Sequence, residues 1–173
     1  IDLFLRSLAE DQEDRAVAII VSGMGTDGTL GVKAIKEHLG LALIQEPRTA
    51  KYDSMPKSSI GTGLIDYVAD AQNLPEKLLG FIRHSVKIPR QVSQEQQAAS
   101  SLTRIFTLLR AHTGHDFSCY KRNTIFRRIE RRMNIHQIDH IGKYVRYLQQ
   151  TPVELDLLFK ELLIGVTNFF RDP

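Results

Sequence analysis

The sequence has a single cysteine, Cys119, so it cannot form an internal disulfide bond. This is typical of proteins in a reducing compartment, and we predict a cytoplasmic location. No apolar run approaches the roughly 18 residues that a membrane-spanning helix needs, which argues against insertion into a membrane. His112 and His115 have no cysteine or carboxylate at the spacing of metal ligands, so we predict no metal site.

Charge is distributed unevenly along the chain. Residues 1–84 contain 9 lysines and arginines against 12 acidic residues, whereas residues 85–173 contain 14 against 8. The first half is therefore acidic and the second half basic, which suggests two domains with different partners. A polar stretch at residues 85–98 separates the halves and is predicted to be a linker.

The first half is centred on a strand, a glycine-rich turn and a helix. Residues 16–21 (AVAIIV) are apolar without a break, which is typical of a strand buried on both faces in a parallel sheet. Gly23, Gly25 and Gly28 follow, with Asp27 among them, and apolar periodicity then predicts a helix over residues 30–39. Asp27 is thus expected at the carboxyl end of a strand, where open α/β folds place their functional sites.

Three interpretations of Asp27 are open. It could cap the following helix in a tight turn whose glycines adopt positive φ. The three glycines also fit the G-x-G-x-x-G pattern of a dinucleotide site, with Glu46 about twenty residues downstream. A carboxylate in that loop would repel the pyrophosphate, which argues against a dinucleotide. Asp27 could instead orient a histidine in a hydrolase triad, and spacing alone does not choose between the turn and the triad.

The second half is predicted to be all helical. Apolar residues recur at helical spacing in residues 102–109, 141–148 and 155–162. Asp139 is expected to cap the second of these helices, and Thr151 with Glu154 to form a capping box at the start of the third. With one further helix, these segments are expected to form a compact bundle.

That further helix, within residues 116–134, is strongly basic. Ile125, Phe126, Ile129 and Met133 fall on one face, which is predicted to be core. Four arginines fall on the other side and are expected to be exposed: Arg127, Arg128, Arg131 and Arg132. Nucleic acid is one candidate partner, although the helix offers no exposed aromatics for base stacking, and an acidic protein surface is the other.

Residues 22–28 (SGMGTDG), with residues 1–9 (IDLFLRSLA) and a later Met55–Pro56 turn, resemble the carboxyl-terminal part of the chemotaxis protein-glutamate methylesterase (CheB) catalytic domain. The resemblance covers residues 1–83 and implies that Asp27 is the third member of the catalytic triad. It also implies that Met24 lies beside the catalytic centre. The family's serine and histidine lie upstream of Ile1, so we predict no esterase activity from these residues alone.

Residues 114–133 (GHDFSCYKRNTIFRRIERRM) and 162–173 (LLIGVTNFFRDP) resemble the amino-terminal helical domain of the chemotaxis receptor methyltransferase (CheR). The resemblance implies that three arginines face the glutamate-bearing helices of a chemoreceptor: Arg128, Arg131 and Arg132. A further arginine of the family pattern is replaced here by Asn134.

The same resemblance implies a cofactor. Thr167 and Arg171 would contact S-adenosylmethionine, with Arg171 close to the substrate carboxylate, which a guanidinium can hold through two hydrogen bonds. An asparagine that is common in the family is replaced by Gly165, which removes one cofactor contact. No cofactor is expected for the esterase half.

The chain is therefore predicted to be an internal fragment of a fused methylesterase–methyltransferase. Residues 1–84 would be the end of an α/β parallel-sheet esterase domain, residues 85–98 a linker, and residues 99–173 a small all-α domain with the start of the S-adenosylmethionine domain. The parent would hydrolyse and remake glutamate γ-methyl esters on chemoreceptors, with a phosphorylated receiver domain as a further candidate partner. The alternatives are a non-catalytic module that docks acidic helices through its arginine helix, and a Rossmann-type dinucleotide-binding domain.

Overall fold

The computed structural model describes residues 1–87 and 95–164. The chain divides into two compact units, one formed by Ile1–Leu79 and one by Gly80–Leu163. The first contains a parallel sheet with helices and the second is all helical, which confirms the predicted fold class. Among the described residues, no helix is both long and apolar enough to cross a membrane, and no group of three or more side chains could hold a metal ion.

Helices and strands alternate in the first unit. The elements are α1 (Asp2–Gln12), β1 (Val17–Ile20), α2 (Thr29–Glu37), β2 (Leu41–Gln45), α3 (Ser54–Ile60), β3 (Tyr67–Ala69) and the beginning of α4 (Leu74–Lys87). The strands are parallel and lie in the order β1-β2-β3, with Val17 opposite Leu41 and Leu43 opposite Tyr67.

The middle strand is the centre of this unit. Every residue of β2 is buried, because both of its edges are paired and both of its faces are covered. Ala18 and Ile20 of β1 join the core with residues of α1 and α2. The prediction that β1 is buried on both faces was wrong, since Ile19 is 43% exposed and Val21 is 45% exposed. Successive side chains of a strand point to opposite faces, and within the described residues only one face of β1 is covered.

A buried ion pair fixes the carboxyl end of α2. The Lys36 ammonium lies 2.7 Å from Asp66 Oδ1, and both side chains are at most 1% exposed. The other Asp66 oxygen accepts a hydrogen bond of 2.8 Å from the Ala42 N–H in β2. This pair therefore connects α2, the central strand and the residue that precedes β3.

The second unit consists of the end of α4, then α5 (Glu95–Thr113), α6 (Arg122–Ile135), α7 (Ile141–Gln150) and α8 (Pro152–Leu163). Its apolar core contains residues from the last four helices and the loop before α6, including Ile105, Ile129, Tyr144 and Leu158. Because α4 continues to Lys87 and α5 begins at Glu95, both ends of the predicted linker are helical.

Two predicted caps have other roles. His140, not Asp139, caps α7, since its Nδ1 accepts a hydrogen bond of 3.1 Å from the Gly142 N–H. Asp139 instead lies 2.8 Å from Nε2 of the buried His84 in α4, whose Nδ1 lies 3.1 Å from Asn134 Oδ1. The capping box was also wrong in one part, because the Glu154 carboxylate points into the core of the unit.

Replacing Lys36 by alanine removes the ammonium group from beside a buried carboxylate. We expect the free energy of unfolding to fall by about 3–5 kcal/mol, because breaking one side of a buried ion pair leaves a charge uncompensated. Urea denaturation of the chain measures this loss. Lys33→Ala changes an exposed lysine of the same helix and is the matched control. Equal effects of the two substitutions would contradict the stabilising role of the pair.

Candidate functional site

The turn between β1 and α2 adopts a backbone conformation that requires glycine at two positions. Gly25 has φ +82° and Gly28 has φ +98°, values that side-chain-bearing residues rarely adopt. A Cβ at Gly28 would also lie 3.0 Å from Ile20 Cδ1. The two glycines lie on either side of Asp27 and fix the path of the chain around it.

This glycine loop, residues 22–28, is hydrogen-bonded to the loop that follows β2 and to the beginning of α3. The Gly23 N–H donates to the Tyr52 carbonyl at 2.9 Å, and the Met55 N–H donates to the Gly23 carbonyl at 3.1 Å. The Gly25 N–H donates to Ser54 Oγ at 3.1 Å. Two N–H groups that a pyrophosphate would need are thus already bonded, which argues against the dinucleotide interpretation.

Asp27 is held by the first residues of α1. Its Oδ1 accepts a hydrogen bond of 2.9 Å from the Asp2 main-chain N–H. Its side chain is 52% exposed and therefore accessible to a further group.

Asp27 does not cap α2. Gly28 occupies the N-cap position and supplies no side-chain cap, while the Asp27 carboxylate bonds to α1 instead. The turn-and-cap interpretation is therefore wrong about the role of this side chain.

Met24 lies in the same loop with 71% of its side chain exposed. The described contacts of Asp27 include no serine hydroxyl and no histidine ring.

The arginines of α6 lie mostly inside the second unit. Arg128 and Arg131 are 5% exposed and Arg132 is 3% exposed. Arg131 Nη1 lies 2.8 Å from Glu161 Oε1, and Arg132 Nε lies 2.8 Å from Glu154 Oε1. Both glutamates are on α8, which packs along the side of α6 that was predicted to face outward. The predicted exposure of these three arginines was wrong, and only Arg127 of the four is exposed.

Glu154 is the centre of a buried polar network. Besides Arg132, its carboxylate accepts a hydrogen bond of 2.8 Å from the Tyr144 hydroxyl, and His136 Nε2 lies 2.8 Å from its Oε2. One carboxylate thereby links α6, α7 and α8. Sequence reasoning missed this role, although Glu154 and Glu161 share one helical face with Leu158, which is the available signal.

Burial and charge shift the titration of these groups. Burial alone would raise the pKa of Glu154, but hydrogen bonds from His136 and Arg132 lower it to about 2. Burial likewise opposes the charged form of Arg132, yet the Glu154 carboxylate raises the pKa of Arg132 above its usual range. Burial raises the pKa of Tyr144 well above its ordinary value. At neutral pH the negative charge of Glu154 is therefore compensated inside the unit by the positive charge of Arg132.

The exposed basic groups lie around the first turns of α6. Lys121, Arg122 and Arg127 are all exposed. A shallow cleft of about 460 Å³ runs beside them and is lined by Lys121, Asn123, Thr124, Phe126 and Arg127. This surface, and not the buried arginines, presents positive charge from α6 to solvent.

Known proteins match the two units separately. Residues 1–78 match the family described as CheB methylesterase. Residues 100–163 match the family described as CheR methyltransferase, all-alpha domain. The chain is therefore similar to the CheB methylesterase family in its first unit and to the CheR all-alpha domain in its second unit.

Individual relatives match either the whole chain or about half of it. A 104.1 kDa uncharacterized protein of Rhodobacter capsulatus is 34% identical over 100% of this chain, which spans 20% of that protein. A putative protein-glutamate methylesterase/protein-glutamine glutaminase of Leptospira interrogans is 38% identical over 50% of the chain and 45% of its own length. The crystal structure of the Thermotoga maritima CheB methylesterase catalytic domain is 38% identical, with a TM-score of 0.44, over 45% of this chain and 41% of that one. The chain thus spans less than half the length of these relatives.

The family matches do not test the roles that were predicted for individual residues. Asp27 and Met24 lie in the CheB-like unit, and their catalytic roles stay predictions. Receptor contacts of Arg128, Arg131 and Arg132 also stay predictions, now for residues that are buried in the CheR-like unit. The predicted cofactor residues Thr167 and Arg171, like Gly165, lie outside the described residues.

The lowered pKa of Glu154 predicts a loss of stability in acid. The pKa of its carboxyl group is near the ordinary value of 4.5 in the unfolded chain and about 2 in the folded chain. The stabilisation is therefore complete above pH 4.5 and is lost as the pH falls towards 2. We expect this group to account for about 3 kcal/mol of unfolding free energy across that interval.

Chemical denaturation at several pH values, followed by circular dichroism, measures this dependence. Glu154→Gln should lower stability at neutral pH and remove much of the loss between pH 4.5 and 2. Asp156→Asn, which alters a half-exposed carboxylate on the same helix, is the matched control and should retain that loss. An unchanged acid dependence in Glu154→Gln would show that other groups cause it.

Proposed function

We propose that this chain is a segment of a chemotaxis adaptation enzyme that hydrolyses glutamate γ-methyl esters on chemoreceptors and also remakes them. The succession of a CheB-like unit and a CheR-like unit supports this proposal. The Rhodobacter capsulatus relative, which is similar over the whole chain, supports the same arrangement in a longer protein. Several relatives of the first unit carry the name protein-glutamate methylesterase, which supports the substrate class.

The observation that carries the esterase proposal is the setting of Asp27. It is a half-exposed carboxylate in the loop between β1 and α2, and one of its oxygens accepts a hydrogen bond from the Asp2 N–H. Such a carboxylate can hold a histidine in one tautomer and stabilise the imidazolium that forms when the histidine takes a proton from a serine. The serine and the histidine would come from the preceding part of the esterase domain, so this chain alone is expected to be inactive. Met24 would lie beside that centre.

For the transferase half we propose S-adenosylmethionine as the methyl donor, contacted by Thr167 and Arg171. Arg171 would hold the substrate carboxylate through two hydrogen bonds and so orient it for methyl transfer. The all-alpha domain would contribute to recognition of the receptor rather than to bond formation. Most of the cofactor site would be supplied by a domain that follows this chain in the longer protein.

The partner of the all-alpha domain is proposed to be an acidic helical segment of a chemoreceptor. Lys121, Arg122 and Arg127 provide exposed positive charge beside a cleft on α6. Charge complementarity of this kind guides association and depends on salt concentration. A non-catalytic docking module would use the same surface, so binding alone does not separate the two functions, whereas methyl transfer does.

Asp27→Asn in the longer protein tests the esterase proposal. We expect kcat for methanol release from a γ-methylated receptor fragment to fall by a factor of about 10⁴, because asparagine stabilises the wrong histidine tautomer. The thermal unfolding midpoint should stay unchanged. Asp14→Asn replaces another exposed aspartate of the same unit and should leave kcat unchanged. An unaltered rate in Asp27→Asn would rule out a triad role.

The proposed receptor-binding surface of α6 can be tested by comparing a substitution of an exposed arginine with a substitution of a buried one. Arg127→Gln should weaken binding of an acidic receptor helix and reduce its salt dependence. The paired change Arg131→Met with Glu161→Leu removes a buried ion pair as a whole, which proteins often tolerate. We expect it to leave binding intact. If this folded double variant lost binding while Arg127→Gln kept it, the buried arginine would be the true contact.

A further inference from the structure

Asp2 is joined to the candidate catalytic loop by two hydrogen bonds that run in opposite directions. Its main-chain N–H donates to Asp27 Oδ1 at 2.9 Å. Its own carboxylate accepts a hydrogen bond of 2.6 Å from the Gly31 N–H in the first turn of α2. One residue of α1 thus binds the carboxylate before α2 and the main chain inside α2.

From this reciprocal arrangement we infer that Asp2 is the residue that positions Asp27 for catalysis. The inference rests on the esterase function proposed above. Asp2 would touch neither substrate nor the reacting atoms, and it would act by fixing the direction of the Asp27 carboxylate.

The need for such a residue follows from the glycine loop. Glycines with positive φ lie on both sides of Asp27, and glycine restricts the main chain less than any other residue. The neighbouring loop bonds to Gly23 and Gly25, which precede Asp27, so these bonds do not fix its side chain. The Asp2 N–H donates to Asp27 Oδ1 from a different element, α1, and so connects this side chain to a helix outside the loop.

Close helix packing makes this contact precise. A Cβ at Gly31 would lie only 2.5 Å from Leu5 Cβ, so α1 and α2 approach each other more closely than a side chain would allow. The first turns of the two helices consequently meet beside Asp27. The Asp2–Gly31 bond sets the position of α1 relative to α2, and this in turn sets the Asp2 N–H relative to Asp27.

The two carboxylates repel each other, but each accepts a main-chain hydrogen bond, and the Asp2 carboxylate accepts its bond from the first turn of α2. The N-terminus of a helix carries partial positive charge and unpaired N–H groups, which offset the repulsion. What Asp2 must supply is therefore a hydrogen-bond acceptor at the correct distance and not a negative charge. This distinguishes Asp2→Asn, which keeps the acceptor, from Asp2→Ala, which removes it, and from Asp2→Glu, which displaces it by one methylene group.

The test is methanol release from a γ-methylated receptor fragment by the longer protein. We expect Asp2→Ala to lower kcat by about 10-fold to 100-fold with KM unchanged, because small misplacements of a catalytic group have effects of this size. Asp2→Glu should also lower kcat, whereas Asp2→Asn should restore it close to the original value. Asp11→Ala, which removes an exposed carboxylate from the other end of α1, is the matched control.

Each outcome bears on the inference. If Asp2→Ala and Asp2→Glu kept full kcat, Asp2 would have no positioning role. If Asp2→Glu were active and Asp2→Asn were not, charge and not geometry would be required, and the inference would be wrong. Should Asp2→Ala fail to fold, the comparison of Asp2→Glu with Asp2→Asn still decides. Loss of activity in Asp27→Asn with no effect at Asp2 would leave the proposed function intact and overturn only this inference.

Discussion

The hydrogen bond from the Asp2 main chain to the Asp27 carboxylate is the interaction on which the candidate site depends. The glycine loop alone leaves a carboxylate free to turn, and the packing of α1 against α2 provides the fixed donor. The parallel sheet contributes the location, because β1 ends where the loop begins. Fold and site are therefore coupled through the contact of α1 with the beginning of α2 beside one side chain.

In the helical unit, two arginines of α6 form internal ion pairs that stabilise the fold and are not exposed for binding. Arg131 and Arg132 are paired with Glu161 and Glu154 inside the unit, so their charges are compensated. Removing one partner of such a pair costs far more stability than an exposed pair contributes. The positive charge that α6 offers to a partner lies instead at Lys121, Arg122 and Arg127, near its first turn.

Local sequence patterns predicted the strands, the glycine turn, most helices and the division into two units. Side-chain partners between distant helices were not predictable from them. The arginine side of α6 was predicted to be exposed because periodicity describes one helix at a time. Of the matching glutamates of α8, Glu154 was assigned to a cap, and Glu161 was not identified as a partner. The Asp2–Asp27 contact joins residues 25 positions apart and has no local signature. Spacing in the glycine loop singled out Asp27 but did not choose between a turn and a triad, and its catalytic role stays a prediction that rests on the family resemblance.

A high-resolution structure of the longer protein, including the residues that precede Ile1, would test the central claim most directly. We expect a histidine ring nitrogen at about 2.6–3.2 Å from the Asp27 carboxylate, with the Asp2 N–H still bonded to Oδ1. A serine hydroxyl should lie within reach of the same histidine. An Asp27 carboxylate that contacts only main-chain N–H groups, with the nearest histidine directed elsewhere, would contradict the triad role.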